Sequence, residues 1–162
     1  MPGTASPFVG DVTKIHMGPA SITYKGRNLG YTLNDSVQIS ITQTTTPITP
    51  DQASLPVKDI ITGTEVSVAM TLAEVNSSNL ALVPGGDAAG FKDAIGVDMK
   101  ALADELIIVA LDSSNNDVWS LPKCAPYISG PIQFIKTTPQ GLQLTFKGYT
   151  DSAGYFLYFS QI

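Results

Sequence analysis

Hydrophobic and polar residues alternate strictly at 37–42 and at 66–72, within two stretches of strand-like sequence, 33–42 and 57–72, the second of which is divided at Gly63. A period of two places successive side chains on opposite faces of a β-strand, so each stretch predicts a strand with one buried face and one outward face. The outward faces carry Gln, Ser and Thr rather than Lys and Glu, which favours a surface that meets protein or a wet channel. The apolar series are Val37, Ile39 and Ile41 in the first stretch and Val66, Val68, Met70 and Leu72 in the second.

A segment rich in Thr and Pro separates these two stretches. Pro47 and Pro50 cannot donate backbone hydrogen bonds to a neighbouring strand. Residues 43–56 are therefore predicted to form a long projecting loop or the frayed tip of a long hairpin. Long loops on a rigid scaffold are often binding elements.

Strand patterns dominate the rest of the chain. Residues 25–28 are predicted to form an early hairpin turn, because Gly26 and Asn28 tolerate positive φ angles. One helix is predicted over 73–82, where Pro84 follows. The chain is thus expected to be mainly β, a β-sandwich or barrel with one short flanking α-helix and a long projecting hairpin loop. We expect a single domain over 1–162, with 1–8 as a flexible N-terminal arm. The remaining predicted strands are 12–17, 21–24, 106–111, 118–121, 133–136, 142–149 and a buried aromatic strand at 155–159.

The composition is poor in charge. Charged residues make up 14% of the chain, against about 25% in typical domains. The 14 Ser and 16 Thr residues fill the place that charges usually take. A soluble monomer usually keeps more charge on its surface, so this composition favours an assembly protein, although a Thr-rich β protein with a quiet surface would show it too.

The net charge of −5 is concentrated in the segment 87–117. Binding of nucleic acid phosphates needs clustered Lys and Arg, so this protein is a poor candidate for gripping DNA, although it could lie beside DNA. The segment contains two bases, Lys92 and Lys100, and seven acids: Asp87, Asp93, Asp98, Asp104, Glu105, Asp112 and Asp117.

The residues that carry catalytic or metal chemistry are scarce. One histidine, His16, and one cysteine, Cys124, cannot build a zinc site or a disulfide. His16 lies on a predicted strand with no nucleophile motif in the chain, which favours a structural role, and Cys124 is expected to be a buried hydrophobe. We therefore expect no enzyme activity and no cofactor or metal.

Two loops imitate binding motifs without completing them. The segment 112–117 matches a calcium loop at its first, third and fifth positions, but Asp117 stands where Gly is needed and Lys123 where Glu is needed. The glycine-rich segment 85–90 lacks the Gly-Lys-Ser/Thr ending of a phosphate loop.

No apolar run is long enough to span a membrane, and the N-terminus is not a signal peptide. Synthesis in a cytoplasm without membrane association is the simplest expectation.

Several segments together resemble the tail tube proteins of long-tailed bacteriophages. The similarity covers roughly residues 8–83, and beyond them it extends only to β-rich character and overall length. The segments that carry it are Met17–Tyr24, Leu29–Thr32, Thr49–Gln52, Leu55–Gly63 and Leu72–Glu74, together with the amphipathic strands.

The resemblance implies a structural role in the tail of a virion. Proteins of this family form hexameric rings in which each subunit donates hairpins to a continuous β-barrel. The rings stack into a tube with other tail proteins, a long loop contacts the neighbouring ring, and DNA passes through the channel without specific binding during genome ejection. The partners expected from the resemblance are thus copies of this chain itself and other tail proteins.

The resemblance also assigns residues to these roles, with the helix 73–82 on the outer face. The candidates that line the channel are Asp35, Gln38, Ser40, Thr42, Ser67 and Thr71. The candidates for the loop between rings are Thr44, Thr45, Thr46, Pro47, Ile48, Thr49, Pro50, Asp51 and Gln52.

Three matters stay open at the level of sequence. The acidic segment either approaches the channel or serves ring stacking against bases such as Lys136 and Lys147. A capsid decoration protein or another symmetric β-rich component of a virion or secretion tube is the main alternative function. A carbohydrate-binding module is a further alternative, but its stacking surfaces would be Trp119 and tail tyrosines that are expected to be buried.

Overall fold

The computed structural model describes residues 19–33, 36–111 and 117–161, and the predicted strand 12–17 and N-terminal arm 1–8 lie outside these ranges. One short helix, α1 (Ser77–Leu80), and a 3-10 turn at Lys100–Leu102 accompany the strands. The strands are β1 (Ala20–Tyr24), β2 (Arg27–Asn28), β3 (Gln38–Ile48), β4 (Lys58–Leu72), β5 (Gly86–Asp87), β6 (Gly90–Phe91), β7 (Asp104–Ala110), β8 (Asp117–Ile128), β9 (Leu142–Tyr149) and β10 (Tyr158–Gln161).

Eight of the described strands form one antiparallel sheet, in which seven follow the order β2-β1-β7-β8-β9-β4-β3 and the eighth, β10, pairs with β8. The long strand β8 pairs with β7 along one edge, and with β10 and then β9 along the other. The strands β5 and β6 form a separate small hairpin. The prediction of a mainly β chain is therefore confirmed.

The sheet curls around one hydrophobic core. In the sheet order, β7 and β8 separate β1 from β9. The rings of Tyr24 on β1 and Phe146 on β9 nevertheless meet edge to face, with centroids 5.0 Å apart, which requires strong curvature because adjacent strands lie about 4.8 Å apart. Alternate residues of β4 and β9 fill this core, as the period of two predicted: Val66, Val68, Met70, Leu72, Leu142 and Leu144 are all buried.

The curled sheet does not close into a barrel within one chain. Its end strands β2 and β3 are not paired with each other. The connection between them instead passes along the end of β4, where the Leu33 amide donates to the Thr71 carbonyl at 2.9 Å and the Ala73 amide donates to the Tyr31 carbonyl at 2.8 Å. The barrel variant of the predicted architecture is thus not formed by the isolated subunit.

The predicted early hairpin turn is confirmed at Lys25 and Gly26, whereas Arg27 and Asn28, which were also expected in the turn, form β2. Lys25 and Gly26 connect β1 to β2 with φ angles of 52° and 75°. Two consecutive positive φ values are the signature of the type I′ turn, which matches the twist of the strands that it joins. The strand prediction 142–149 coincides with β9, and the strand prediction 106–111 falls on β7, which lies between β1 and β8.

Two other predictions were wrong, one in extent and one in kind. The helix expected over 73–82 is only α1, whose N-cap Asn76 accepts the Asn79 amide at 2.8 Å. Its Ser, Ser and Asn residues favour caps and turns over helix interiors, which accounts for the single turn. The strand expected at 133–136 is a loop with one isolated bridge, Ile135 to Thr138.

The C-terminal aromatic segment is more exposed than predicted. Tyr155, Tyr158 and Phe159 lie at the surface, and Phe156 and Leu157 are half-buried. The strand itself, β10, begins only at Tyr158. Among the described residues β10 pairs with β8 alone, so it lies at an edge of the sheet. Tyr155 stacks on Tyr158 and Phe159 packs against Trp119, whereas Phe156 packs against the core.

Candidate functional site

Five of the six predicted channel-lining residues lie on one outward face of the sheet. On β3, Gln38, Ser40 and Thr42 alternate with the residues directed to the core side, and Ser40 lies directly opposite Ser67 of β4. Thr71 lies on the same face as Ser67 at the far end of β4 because it is four residues along the strand. The sixth candidate, Asp35, lies outside the described residues.

Strand β9 widens this polar face. Its residues Gln143, Thr145 and Lys147 lie opposite Thr71, Ala69 and Ser67. Charges on this part of the face are few and of opposite sign, with Glu65 on β4 and Lys147 on β9. We call the set of these residues the polar face: Gln38, Ser40, Thr42, Glu65, Ser67, Ala69, Thr71, Gln143, Thr145 and Lys147. A surface of hydroxyl and amide groups holds water well but offers few charges to an ion or a phosphate.

The first part of the acidic segment borders the polar face. Tyr127 of β8 lies opposite Thr145, and its ring lines a shallow apolar cavity together with Val83, Ala94 and Val97. The acidic loop therefore packs beside the β8 margin of the polar face. The two alternatives left open by the sequence, approach to a channel and ring stacking, stay predictions, and Asp117 lies at the opposite end of β8.

The carboxylates of this loop mainly organise its turns. Asp87 accepts hydrogen bonds from the amides of Ala89 and Gly90 at 2.8 and 3.0 Å. These amide bonds and the Lys92 ammonium, 3.3 Å away, hold the pKa of Asp87 below its usual value. Asp93 and Asp98 each accept a nearby backbone amide in the same manner. Among the described residues no group of three or more His, Cys, Asp or Glu side chains is arranged to hold a metal ion.

The second candidate element is a hairpin that leaves the body of the protein. From Ile41 onward β3 is fully exposed, and β4 becomes buried only at Val66. We call residues 41–65 the projecting hairpin. Its ladder continues to the pair Ile48 and Lys58, so at about 3.3 Å per residue the hairpin extends about 25 Å beyond the core. Residues 44–48 were predicted to belong to the inter-ring loop, but they form the end of β3. Only residues 49–57 form the tip of the hairpin.

Pro47 is tolerated within β3 because that strand lies at the edge of the sheet. Pro47 pairs with Asp59 of β4, and among the described residues nothing pairs with the other edge of β3. A proline lacks the N–H that a central strand would need on both sides, but an edge strand can direct the missing donor toward solvent. Reasoning from proline alone therefore ended the strand too early.

A β-bulge interrupts the hairpin midway. The pairing passes from Thr44 with Gly63 to Thr45 with Ile61, which leaves Thr62 as the extra residue of β4. The Thr62 hydroxyl donates to the Thr44 carbonyl at 3.3 Å and lies 3.1 Å from the Thr46 hydroxyl. Bulges bend and twist a strand, so this residue sets the direction in which the hairpin projects.

The projecting hairpin exposes a set of large aliphatic side chains that sequence reasoning did not assign to the site. They occur on both faces, since Ile61 shares a face with Thr45 and Ile60 shares the other with Thr46. Two adjacent isoleucines near Gly63 break the alternation, and this was the available signal for the bulge. The exposed aliphatic residues are Ile41, Ile48, Leu55, Val57, Ile60 and Ile61.

The sheet splits where the projecting hairpin begins. Strand β9 pairs with β4 only from Ser67 to Leu72, and residues 150–157 then turn away toward β10. The gap holds a cavity of about 480 Å³ that is lined in part by Glu65, Lys147 and Phe156. Among the described residues, no strand pairs with the second edge of β4 over residues 58–66. The hairpin therefore presents unpaired backbone groups along both of its edges.

The buried thiol of Cys124 and the buried hydroxyl of Tyr24 are both unreactive at neutral pH. The Tyr24 hydroxyl donates to the Cys124 carbonyl at 3.1 Å. Burial raises the pKa of the Cys124 thiol to about 12 and also raises the pKa of Tyr24. A thiol in this state is not a nucleophile at neutral pH, so the prediction that Cys124 is a buried hydrophobe is confirmed by its complete burial.

Comparison with known proteins gives no relatives from which to infer a function: no family model and no curated protein matches this chain. Among the described residues, no helix is long and apolar enough to cross a membrane.

Proposed function

We propose that this protein is a structural subunit of a phage tail tube, which forms stacked hexameric rings around a channel for DNA. The observation that carries this proposal is the projecting hairpin. A two-stranded hairpin has little stability by itself in water, and long edges with exposed aliphatic side chains invite pairing with another chain. An element of this kind becomes stable when copies of the protein cover it.

The polar face supports the same proposal. A channel for DNA must stay wet without gripping phosphate, and uncharged Ser, Thr and Gln side chains meet both requirements. The open curled sheet also leaves edges that rings of subunits would close into a barrel, which removes the exposed edges altogether. The sequence resemblance over residues 8–83 points to the same assembly.

Electron microscopy of the purified protein over a concentration series, together with its mass in solution, tests the proposal. We expect hollow rings or tubes with a central channel. Binding of single copies to a capsid shell would instead support a decoration protein. A protein that stays monomeric at every concentration would contradict the proposal.

A shortened variant tests the role of the projecting hairpin. Gln43 and Thr64 face each other across the ladder, so residues 44–63 can be replaced by the two-residue turn Asn-Gly. We expect a folded monomer that forms no tubes, because the core residues are untouched. The matched control is Ile95→Ser, which removes a highly exposed aliphatic side chain outside the hairpin and should assemble normally. Tubes of normal length from the shortened variant would refute this role.

A further inference from the structure

A second apolar depression lies at the end of the sheet opposite the projecting hairpin. It is a cleft of about 290 Å³ between the loop 129–141 and the ends of β4 and β9. Leu33, Pro131, Ile135 and Pro139 supply the apolar part of its lining, and the polar part consists of Ser36, Thr71, Gln133, Thr138 and Gln143. We call it the end cleft. Thr71 is one of the residues that line the end cleft, so the cleft lies at the end of β4.

Large apolar side chains on the segments next to the end cleft are exposed to solvent. Phe134 is 85% exposed on the loop 129–141, and Ile135 beside it is 48% exposed. Tyr31, in the segment bonded to the end of β4, is 79% exposed. A group of exposed apolar side chains around a depression is typical of an interaction surface.

Strand β4 connects the end cleft to the projecting hairpin and separates the two by a fixed distance. The strand runs from Lys58 to Leu72 with one bulge at Thr62, which places Lys58 about 40 Å from Thr71 at about 3.3 Å per residue. The hairpin tip carries Leu55 and Val57, exposed by 73% and 65%. The molecule thus presents a protruding apolar tip at one end and a receding apolar cleft at the other.

We propose that the end cleft receives the hairpin tip of a second copy of this chain, with Leu55 and Val57 inserted against Leu33, Ile135 and Pro139. This inference rests on the proposed function and identifies the surface on which the projecting hairpin docks. Protrusion and cleft lie on different surfaces, so the contact is heterologous and repeats from copy to copy without closing, which generates a linear stack.

The charges at the two ends agree with this pairing. Lys136 is the one charged residue of the loop 129–141, whereas the hairpin tip and its first strand pair carry Asp51, Lys58 and Asp59. A positive loop thus meets a tip with a net negative charge. Charges at the rim of an interface mainly guide association and add little affinity when exposed, so the apolar contact carries most of the binding.

Complementation between two variants tests the inference. One variant carries Leu55→Ser and Val57→Ser in the tip, and the other carries Phe134→Ser and Ile135→Ser at the cleft. All four side chains are exposed, so both variants should fold like the unaltered protein, which circular dichroism and thermal melting verify. In each variant alone, either every tip or every cleft is altered, so no intact contact between tip and cleft can form. Neither variant alone should form stacks.

Mixing the two variants restores one intact contact, between the tip of the cleft variant and the cleft of the tip variant. We expect a complex that contains both variants and does not grow further, as measured by sedimentation and by mass. Affinity for this contact should match that of the unaltered protein within a factor of about 3. The control Ile95→Ser should stack as the unaltered protein does.

Two outcomes separate the inference from the proposed function. If the unaltered protein forms tubes but the mixture forms no complex, or if the cleft variant still forms tubes, the end cleft is not the docking site and the tube function stands. If the unaltered protein does not associate at all, both are overturned.

Lys136→Glu should weaken association several-fold, and Asp51→Lys in the same chain should recover part of that loss.

Discussion

At the scale of residues, the centre of the core is held by one polar contact in apolar surroundings. Tyr24 is buried, its ring meets Phe146, and its hydroxyl donates to the backbone of β8 at Cys124. The contact joins β1 to a strand two places away in the sheet. Alternation in the sequence predicted that Tyr24 lies in a strand, but the partner of its hydroxyl is 100 residues distant and no local pattern points to it.

Tyr24→Phe should therefore lower the free energy of unfolding by about 1 kcal/mol, the usual net contribution of one hydrogen bond. The ring contact with Phe146 would be kept. Urea unfolding followed by fluorescence measures the change. Tyr31→Phe is the matched control, because Tyr31 is exposed and its hydroxyl has no described partner inside the fold, and it should leave stability unchanged. Equal stability of both variants would contradict the assigned contact.

The Cys124 thiol gives a prediction for alkaline pH. Burial raises its pKa from the usual 9.0 to about 12, so the fold favours the protonated thiol. Stability from this preference is complete below pH 9 and declines as the pH rises toward 12. We expect the native protein to react slowly with thiol reagents at pH 8, and the unfolding free energy to fall between pH 9 and pH 12. Rapid labelling of the native protein at pH 8 would contradict the burial of this thiol.

At the scale of elements, the β-bulge decides where the projecting hairpin points. Removing Thr62 would leave the pairs Thr44 with Gly63 and Thr45 with Ile61 in a regular ladder, without the extra bend and twist. The hairpin would still form, but its tip would be aimed differently. Without a bulge, strict alternation counted back from Val66 would place Ile60 on the face of β4 that points to the core side. The bulge shifts the alternation by one residue, so Ile61 lies on that face instead.

Deletion of Thr62 should consequently keep the thermal stability of the body and abolish tube formation. Scanning calorimetry and electron microscopy measure the two effects. Gly63→Ala is the control at the neighbouring position, because a Cβ there would meet only Thr44 at an ordinary distance of 3.9 Å. Normal tubes from the deletion variant would show that the direction of the hairpin is unimportant for assembly.

At the scale of the whole molecule, the protein combines a packed core with an element that has none. Residues 67–72 of β4 pair with β9, residues 67–69 pair with β3 as well, and alternate residues from Val66 to Leu72 enter the core, whereas 58–63 and Glu65 of the same strand are exposed and Thr64 is half-buried. Stability within a fold varies with burial and with the pairing of the backbone. A single strand thus spans a stable half and an unstable half.

Hydrogen exchange should reveal this division along β4. In the unassembled protein, we expect slow exchange at residues 66–72 and fast exchange at 58–65, and assembly should protect the second group. Mass spectrometry of peptides from both halves, before and after assembly, measures the change. Equal protection of the two halves in the unassembled protein would mean that the hairpin is stable without partners.

The sequence by itself determined the local features of this protein. Alternation placed β9 and the buried half of β4, and glycine placed the first hairpin turn. These features depend on neighbours within a few residues, because side-chain direction in a strand and the φ preferences of glycine are local. The polar face followed from the same rule.

Only the tertiary structure decided which edges and surfaces remain open. The sequence did not show that β3 is an edge strand, which is why Pro47 was placed in a loop, or that the C-terminal aromatic residues lie on an edge and stay exposed. The long reach of the projecting hairpin and the end cleft opposite it also depend on strand order. Pairing between strands joins residues far apart in the chain, and the choice among partners is made by the whole core rather than by any one segment.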